Sequence, residues 1–133
     1  MTAIDGHHLA EDHVDHERCV LVVDDDPVLR KVVRAVLEAD GFRVIEAPDG
    51  FAGLAVAAAE RPPVIILDVM MPGIDGVEVC RRLDHRASKV LMLTALGDAA
   101  TEEASLAAGA RAYLTKPFSS MQLLDSVEAL LGS

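Results

Sequence analysis

Val64-Ile65-Ile66-Leu67-Asp68-Val69-Met70-Met71-Pro72-Gly73 is the stretch whose reading decides the fold. Four apolar residues run into one carboxylate, and the chain then breaks at a Pro-Gly pair. An apolar run without alternation reads as a strand buried on both faces, the hallmark of a parallel sheet. Asp68 then stands at the C-terminal end of that strand, the edge at which open α/β sheets bind ligands.

The neighbouring segments fit the same plan. Cys19-Val20-Leu21-Val22-Val23 is a second continuous apolar strand, ending in Asp24-Asp25-Asp26-Pro27. Val28, Leu29, Val32, Val33, Val36 and Leu37 follow at helical spacing, with Asp26 as N-cap, Pro27 at the first helical position and Gly41 as the stop. Asp26 therefore has a structural task, whereas Asp24 and Asp25 do not. Phe42–Ala47 reads as a shorter, polar-interrupted strand suited to a sheet edge. A helix follows from Pro48-Asp49-Gly50 to about Glu60, with Phe51, Leu54, Ala55 and Ala58 expected as its inner face. After the Asp68 strand and the Pro72–Gly76 loop come a helix to about Leu83 and a strand Lys89–Thr94. A helix from about Asp98 to Ala108 stops at Gly109, before a short strand Ala112–Thr115. Ser119 and Ser120 can cap a last helix carrying Leu123, Leu124, Val127, Leu130 and Leu131. Five β-α units with short links predict one parallel sheet with helices on both faces.

Bulk properties narrow the function classes. The 133 residues suit one domain with its own core. A formal net charge of −10 opposes direct nucleic-acid binding, since phosphate backbones recruit basic surfaces. No apolar run reaches membrane-spanning length and no signal-peptide pattern opens the chain, so a cytoplasmic location is expected. Cys19 and Cys80 lie in apolar surroundings and read as buried free thiols of a reducing compartment. Residues 1–18 carry His7, His8, His13 and His16 among acidic residues and read as a disordered tail ahead of a domain over 19–133. His13 and His16 can share a helical face towards a transition metal, but nothing completes such a site.

The strand ends supply a polar constellation. Asp24 and Asp25 follow the first strand, Asp68 ends the third, Thr94 ends the fourth and Lys116 follows the fifth. In a parallel sheet all five meet at one edge. Taken singly, each has an ordinary role: a turn or cap for an Asp, a strand position for Thr, a solvated charge for Lys. Together they place three mutually repelling carboxylates where a hard divalent cation, Mg²⁺ above all, relieves the repulsion. A carboxylate nucleophile, a metal, an ammonium and a hydroxyl make a phosphoryl-transfer site run by positioning and charge neutralisation.

With these residues in place, the chain resembles a receiver domain of bacterial two-component signalling over about residues 18 to 132. The matching stretches are Leu21–Pro27, Leu67–Gly76, Leu91-Met92-Leu93-Thr94-Ala95 and Tyr113-Leu114-Thr115-Lys116-Pro117-Phe118. The resemblance implies a flavodoxin-like, CheY-like fold with strand order 2-1-3-4-5. It implies Asp68 as phosphoacceptor, and a Mg²⁺ site made by Asp24, Asp25, Asp68 and the backbone carbonyl of Met70. It implies a cis Lys116–Pro117 peptide bond, the X-Pro case in which cis is common. It further implies a switch in which Thr94 moves towards the phosphoryl group and Tyr113 turns inward, altering the face made by the fourth helix, fifth strand and fifth helix. The implied partners are a sensor histidine kinase or histidine phosphotransfer protein upstream and a protein target downstream. In such domains the positions of Met70 and Leu96 influence the water that attacks the phosphoryl group. Both are apolar here, which predicts a long-lived phosphoryl-aspartate.

Two rivals stand beside this reading. Asp24-Asp25-Asp26-Pro27-Val28 also fits the D-x-D-x-[TV] opening of haloacid-dehalogenase-type phosphatases, with Asp24 as nucleophile and Asp26 as general acid. That reading lacks an acidic motif after Lys116, where only Asp125 and Glu128 follow, and it leaves Asp68 without a role. The other rival is a receiver-like scaffold without chemistry, which the intact set of five residues opposes. Receivers of the OmpR/PhoB class usually carry acidic residues where this chain has Arg111-Ala112, and basic residues along the last helix, where this chain has none. The chain reads either as a stand-alone receiver or as part of a longer regulator, and the missing charge network favours a stand-alone, monomeric one.

Overall fold

A computed structural model describes residues 16–95 and 97–132. Strands β1 (Cys19–Val23), β2 (Arg43–Ala47), β3 (Val64–Asp68), β4 (Lys89–Thr94) and β5 (Ala112–Thr115) alternate with helices α1 (Pro27–Ala39), α2 (Gly50–Glu60), α3 (Gly76–Arg82), α4 (Ala99–Ala107) and α5 (Ser120–Gly132). The sheet is parallel throughout, in the order β2-β1-β3-β4-β5, as the sequence predicts. The polar-interrupted β2 is indeed an edge.

Each apolar run feeds both faces of the sheet by strand alternation. Leu21, Val23, Ile65, Leu67, Val90 and Met92 point into one core, closed by residues of α2 and α3 such as Ala57, Val79 and Cys80. Val20, Val22, Val64, Ile66, Leu91 and Leu93 point into the other, closed by Val33 and Leu37 of α1 and by Leu123, Val127 and Leu130 of α5. Both Cys19 and Cys80 are buried, and neither is in a disulfide. Burial pushes the Cys80 thiol up to about 11, and its Sγ donates to the Ala108 carbonyl at 3.6 Å.

The helix starts share one device. Carboxylates of Asp26, Asp49, Asp75 and Asp98 accept main-chain N–H bonds from Val28, Ala52, Glu78 and Thr101. At α5, Ser119 Oγ accepts from Gln122 N at 3.0 Å while Gln122 Oε1 accepts from Ser119 N at 2.8 Å, a reciprocal capping box. Gly41 and Gly109 follow α1 and α4 with positive φ, at 89° and 114°.

The inner face of α2 differs from the expectation. Phe51 is 60% exposed, and Ala55 and Ala58 are exposed as well, with only Leu54 of the four half-buried. The buried residues are Gly50, Gly53 and Ala57. A Cβ on Gly53 would lie 2.8 Å from Val23 Cγ2, so α2 meets the sheet at nearly backbone distance and leaves no room for a large side chain. Apolarity pointed to Phe51; closeness of approach selected glycine.

Gly109 carries a sharp stability prediction. Its φ is left-handed, and a Cβ there would come within 2.6 Å of the His85 ring. That ring is anchored by Nε2 donating to the Cys80 carbonyl at 2.6 Å. Gly109→Ala therefore combines backbone strain with displacement of a fixed ring, and is expected to cost about 2 kcal/mol or more. A lowered urea midpoint with unchanged slope is the check; an unchanged midpoint refutes it.

Candidate functional site

The C-terminal ends of β1, β3, β4 and β5 bring together the polar residues singled out from the sequence. Asp68 is the last residue of β3, pairs in register with Leu93 and is 5% exposed. Asp24 follows β1 and is held on every polar atom. Its N–H donates to the Ala47 carbonyl at 3.2 Å, and its carbonyl accepts from Arg30 Nη1 at 2.6 Å. Oδ1 accepts from Asp26 N at 2.9 Å, and Oδ2 from Lys116 Nζ at 3.2 Å. The same ammonium reaches Asp68 Oδ1 at 3.4 Å. Asp25 is exposed, and its carboxylate lies with those of Asp24 and Asp68 in a cluster whose ligand oxygens are all within 4.8 Å of one another.

The electrostatics follow from that crowding. Burial first, and the Asp24 charge second, raise the Asp68 carboxyl to about 6, against the pull of Lys116. One ammonium faces three carboxylates, and the donor set is all oxygen. Both facts fit a hard divalent cation.

Thr94 is fully buried at the end of β4, and its carbonyl accepts from Lys116 N at 2.7 Å, which sets the start of the Lys116 segment beside it. Lys116–Pro117 is cis. Tyr113 is half-buried on β5 and packs against the core shared with α2 and α3. Burial, then the carboxylates of Asp98 and Glu102, hold its phenol above the usual range. Met70 is 61% exposed beside the cluster, while Leu96 lies outside the described residues. Residues 1–15, with His7, His8 and His13, also lie outside them.

The fold and most of the sequence match known proteins. Residues 20–128 match the response regulator receiver domain. The chain belongs to the response regulator receiver family. As a receiver domain its role is that of a phosphoacceptor in two-component signalling. Among curated relatives, the receiver is 45% identical over 113 residues to the transcriptional regulatory protein CseB of Streptomyces coelicolor, covering 84% of this chain and 48% of that protein. It is 44% identical over 114 residues to the response regulator MprA of Mycobacterium ulcerans, covering 84% and 49%. The chain thus spans about half the length of the curated relatives it matches. Among solved structures, a response regulator receiver protein from Burkholderia phymatum superposes with a TM-score of 0.77 at 44% identity, covering 86% of this chain and 94% of that one. The Vibrio cholerae chemotaxis protein CheY4 gives 0.79 at 34%, covering 84% and 97%.

The phosphatase reading loses its ground here. Asp26, its general acid, is occupied as the cap of α1, and the chain matches the receiver family over residues 20–128. Sequence reasoning missed two features of the site. One is the Arg30 contact with the Asp24 carbonyl, bridged to Glu46 on β2 at 3.0 Å. The other is Gly76, whose N–H donates to the Val69 carbonyl at 2.8 Å directly behind Asp68. The available signals were Arg30 and Arg34 one helical turn apart after the acids, and Glu46 interrupting an apolar strand.

Proposed function

We propose that Asp68 is the phosphoacceptor of this receiver and takes the group from a phosphohistidine on a sensor histidine kinase or histidine phosphotransfer protein. A Asp68 carboxylate oxygen attacks phosphorus, a P–O bond forms and the P–N bond breaks. The electron pair leaves on the imidazole nitrogen, which regains neutrality by protonation from solvent. The observation that carries this reading is Lys116 Nζ held between Asp24 and Asp68, at 3.2 and 3.4 Å, over a buried strand end. That ammonium is already placed to balance the charge an arriving phosphoryl group brings.

Asp24, Asp25, Asp68 and the Met70 carbonyl would hold Mg²⁺, which when bound neutralises phosphoryl oxygens. The Thr94 hydroxyl donates to a phosphoryl oxygen and moves towards it, and Tyr113 follows inward. The free energy for that change is the differential contact made by the new charge. The face of α4, β5 and α5 then binds a downstream protein. The domain's chemistry is confined to its own phosphorylation and dephosphorylation, and it is not otherwise an enzyme. Its place is the cytoplasm, without direct nucleic-acid contact by this domain. Among the described residues no helix is long and apolar enough to cross a membrane.

Incubation with a small phosphoryl donor and Mg²⁺ tests the core of this reading. The intact mass should rise by one phosphoryl group, and chelation of the metal should prevent it; a mass that does not change refutes it. The lifetime is a separate matter. Met70 offers no group to orient a water, so the label should outlast minutes in Mg²⁺ buffer without a phosphatase. Its loss within seconds would contradict that.

A further inference from the structure

We propose that Arg30, anchored by Glu46 at the sheet edge, is a positioning residue for the acidic pair Asp24-Asp25. This rests on the reading of that pair as metal ligands. Arg30 lies in α1, outside the cluster, and touches neither carboxylate by any bond described above. Its Nη1 donates to the Asp24 main-chain carbonyl at 2.6 Å, and its Nε to Glu46 Oε1 at 3.0 Å. The other Glu46 oxygen accepts from Arg34 Nε at 2.7 Å, and Arg34 Nη2 donates to the Val44 carbonyl at 3.1 Å. Glu46 thus accepts one arginine on each oxygen, and its Oε1 anchors Arg30. The Arg30 side chain is 15% exposed, so its charge is largely withdrawn from water and matched by Glu46.

The atom that Arg30 holds explains the consequence. The Asp24 carbonyl belongs to the peptide plane joining Asp24 to Asp25, and that plane is rigid. Holding its oxygen from one side sets the rotation of the plane, and hence the relative direction of the two side chains that flank it. The Asp24 N–H bond to Ala47 holds the plane before. Without Arg30, Asp24 keeps its bonds to Asp26 N and Lys116, but Asp25, exposed and lacking such a frame, is free to turn away. A planar guanidinium reaches two acceptors at fixed angles; an ammonium at the same place is a point charge and does not reproduce both bonds. Outer-shell partners of metal ligands typically change affinity by roughly 10–100-fold when removed.

The test is Mg²⁺ titration by calorimetry on wild type, Arg30→Met, Arg30→Lys, Glu46→Gln and Arg34→Met, with thermal unfolding in EDTA and amide NMR spectra alongside. Expected results are Mg²⁺ binding weakened about tenfold or more in both Arg30 variants and in the same direction in Glu46→Gln. Arg34→Met, which spares the Arg30–Asp24 bond, stays near wild type. The Asp25 amide resonance, one bond from the held carbonyl, should shift in metal-free Arg30→Met and hold still in Arg34→Met. Wild-type affinity in Arg30→Met overturns the inference, and wild-type affinity in Arg30→Lys reduces Arg30 to a simple charge and overturns it as well. Should Arg30→Met fail to fold, Glu46→Gln decides: unchanged affinity there overturns the inference, weakened affinity sustains it. A wild type that binds no Mg²⁺ overturns the functional reading itself, whereas binding by wild type with unchanged variants overturns this inference alone.

Discussion

Asp68→Asn should take up no phosphoryl group from a small donor in Mg²⁺, and in EDTA at neutral pH it should unfold at a higher temperature than the wild type. The first effect is complete because the amide is not a nucleophile at this position and Asp24, Asp25, Thr94 and Lys116 remain to bind without reacting. The second follows from the Asp68 carboxyl, raised from 3.8 to about 6 by burial and by Asp24. The folded state binds this proton more tightly than the unfolded chain does. Its contribution to stability is therefore greatest below pH 4 and falls as pH rises through about 6. About two pKa units at 1.36 kcal/mol each give a strain of about 3 kcal/mol at neutral pH, which the Asn variant relieves. The difference in stability between variant and wild type should grow between pH 4 and 6 and then level off. Thermal unfolding across that range in EDTA is the measurement; a difference independent of pH would show that Asp68 is not strained. Persistence of the label in Asp68→Asn, with its loss only in Asp24→Ala, would restore the phosphatase reading.

Gly76→Ala should be the most damaging single-methyl change near the site. The new Cβ would overlap the Asp68 carbonyl oxygen and press on the Asp68 carbonyl carbon and Val69 Cα at 2.8 Å each. All three are main-chain atoms of the strand end that carries the phosphoacceptor, so none can swing aside as a side chain would. Overpacking against backbone is expected to cost about 3 kcal/mol or more. Whatever fraction folds should label slowly, because Asp68 has been moved. Gly97→Ala supplies the control: its Cβ would find Thr115 Cγ2 at 3.5 Å, an ordinary contact, and should change stability by less than about 0.5 kcal/mol. Equal urea midpoints for the two variants would refute the claim.

The strands were legible because a sheet covered on both faces needs unbroken apolar runs, and Val20–Val23, Val64–Leu67 and Val90–Leu93 are such runs. The convergence of Asp24, Asp25, Asp68, Thr94 and Lys116 was legible for a topological reason: parallel strands all end at one edge. What escaped was set by distance of approach rather than by residue character. Glycine in α2 and at Gly76 carries no polarity signal, yet those positions decide how closely backbone meets backbone. Arg30 and Glu46 are 16 residues apart and look like separate surface charges until α1 folds against β2. The lean towards a stand-alone monomer drew on the missing charge network at Arg111-Ala112 and along the last helix, and the chain spans about half the length of the curated relatives it matches.

The tight seat of α2 has a mechanical side. Gly50 opens that helix, and a Cβ there would lie 2.5 Å from Ile74 Cγ2 and 2.6 Å from Val79 Cγ2, so the helix start, the loop behind Asp68 and α3 touch without slack. A joint with no compliance transmits displacement instead of absorbing it. Any movement of that loop would drag the first turn of α2 with it, on the side of the sheet opposite α1 and α5. That flank of the domain would then move as a stiff block.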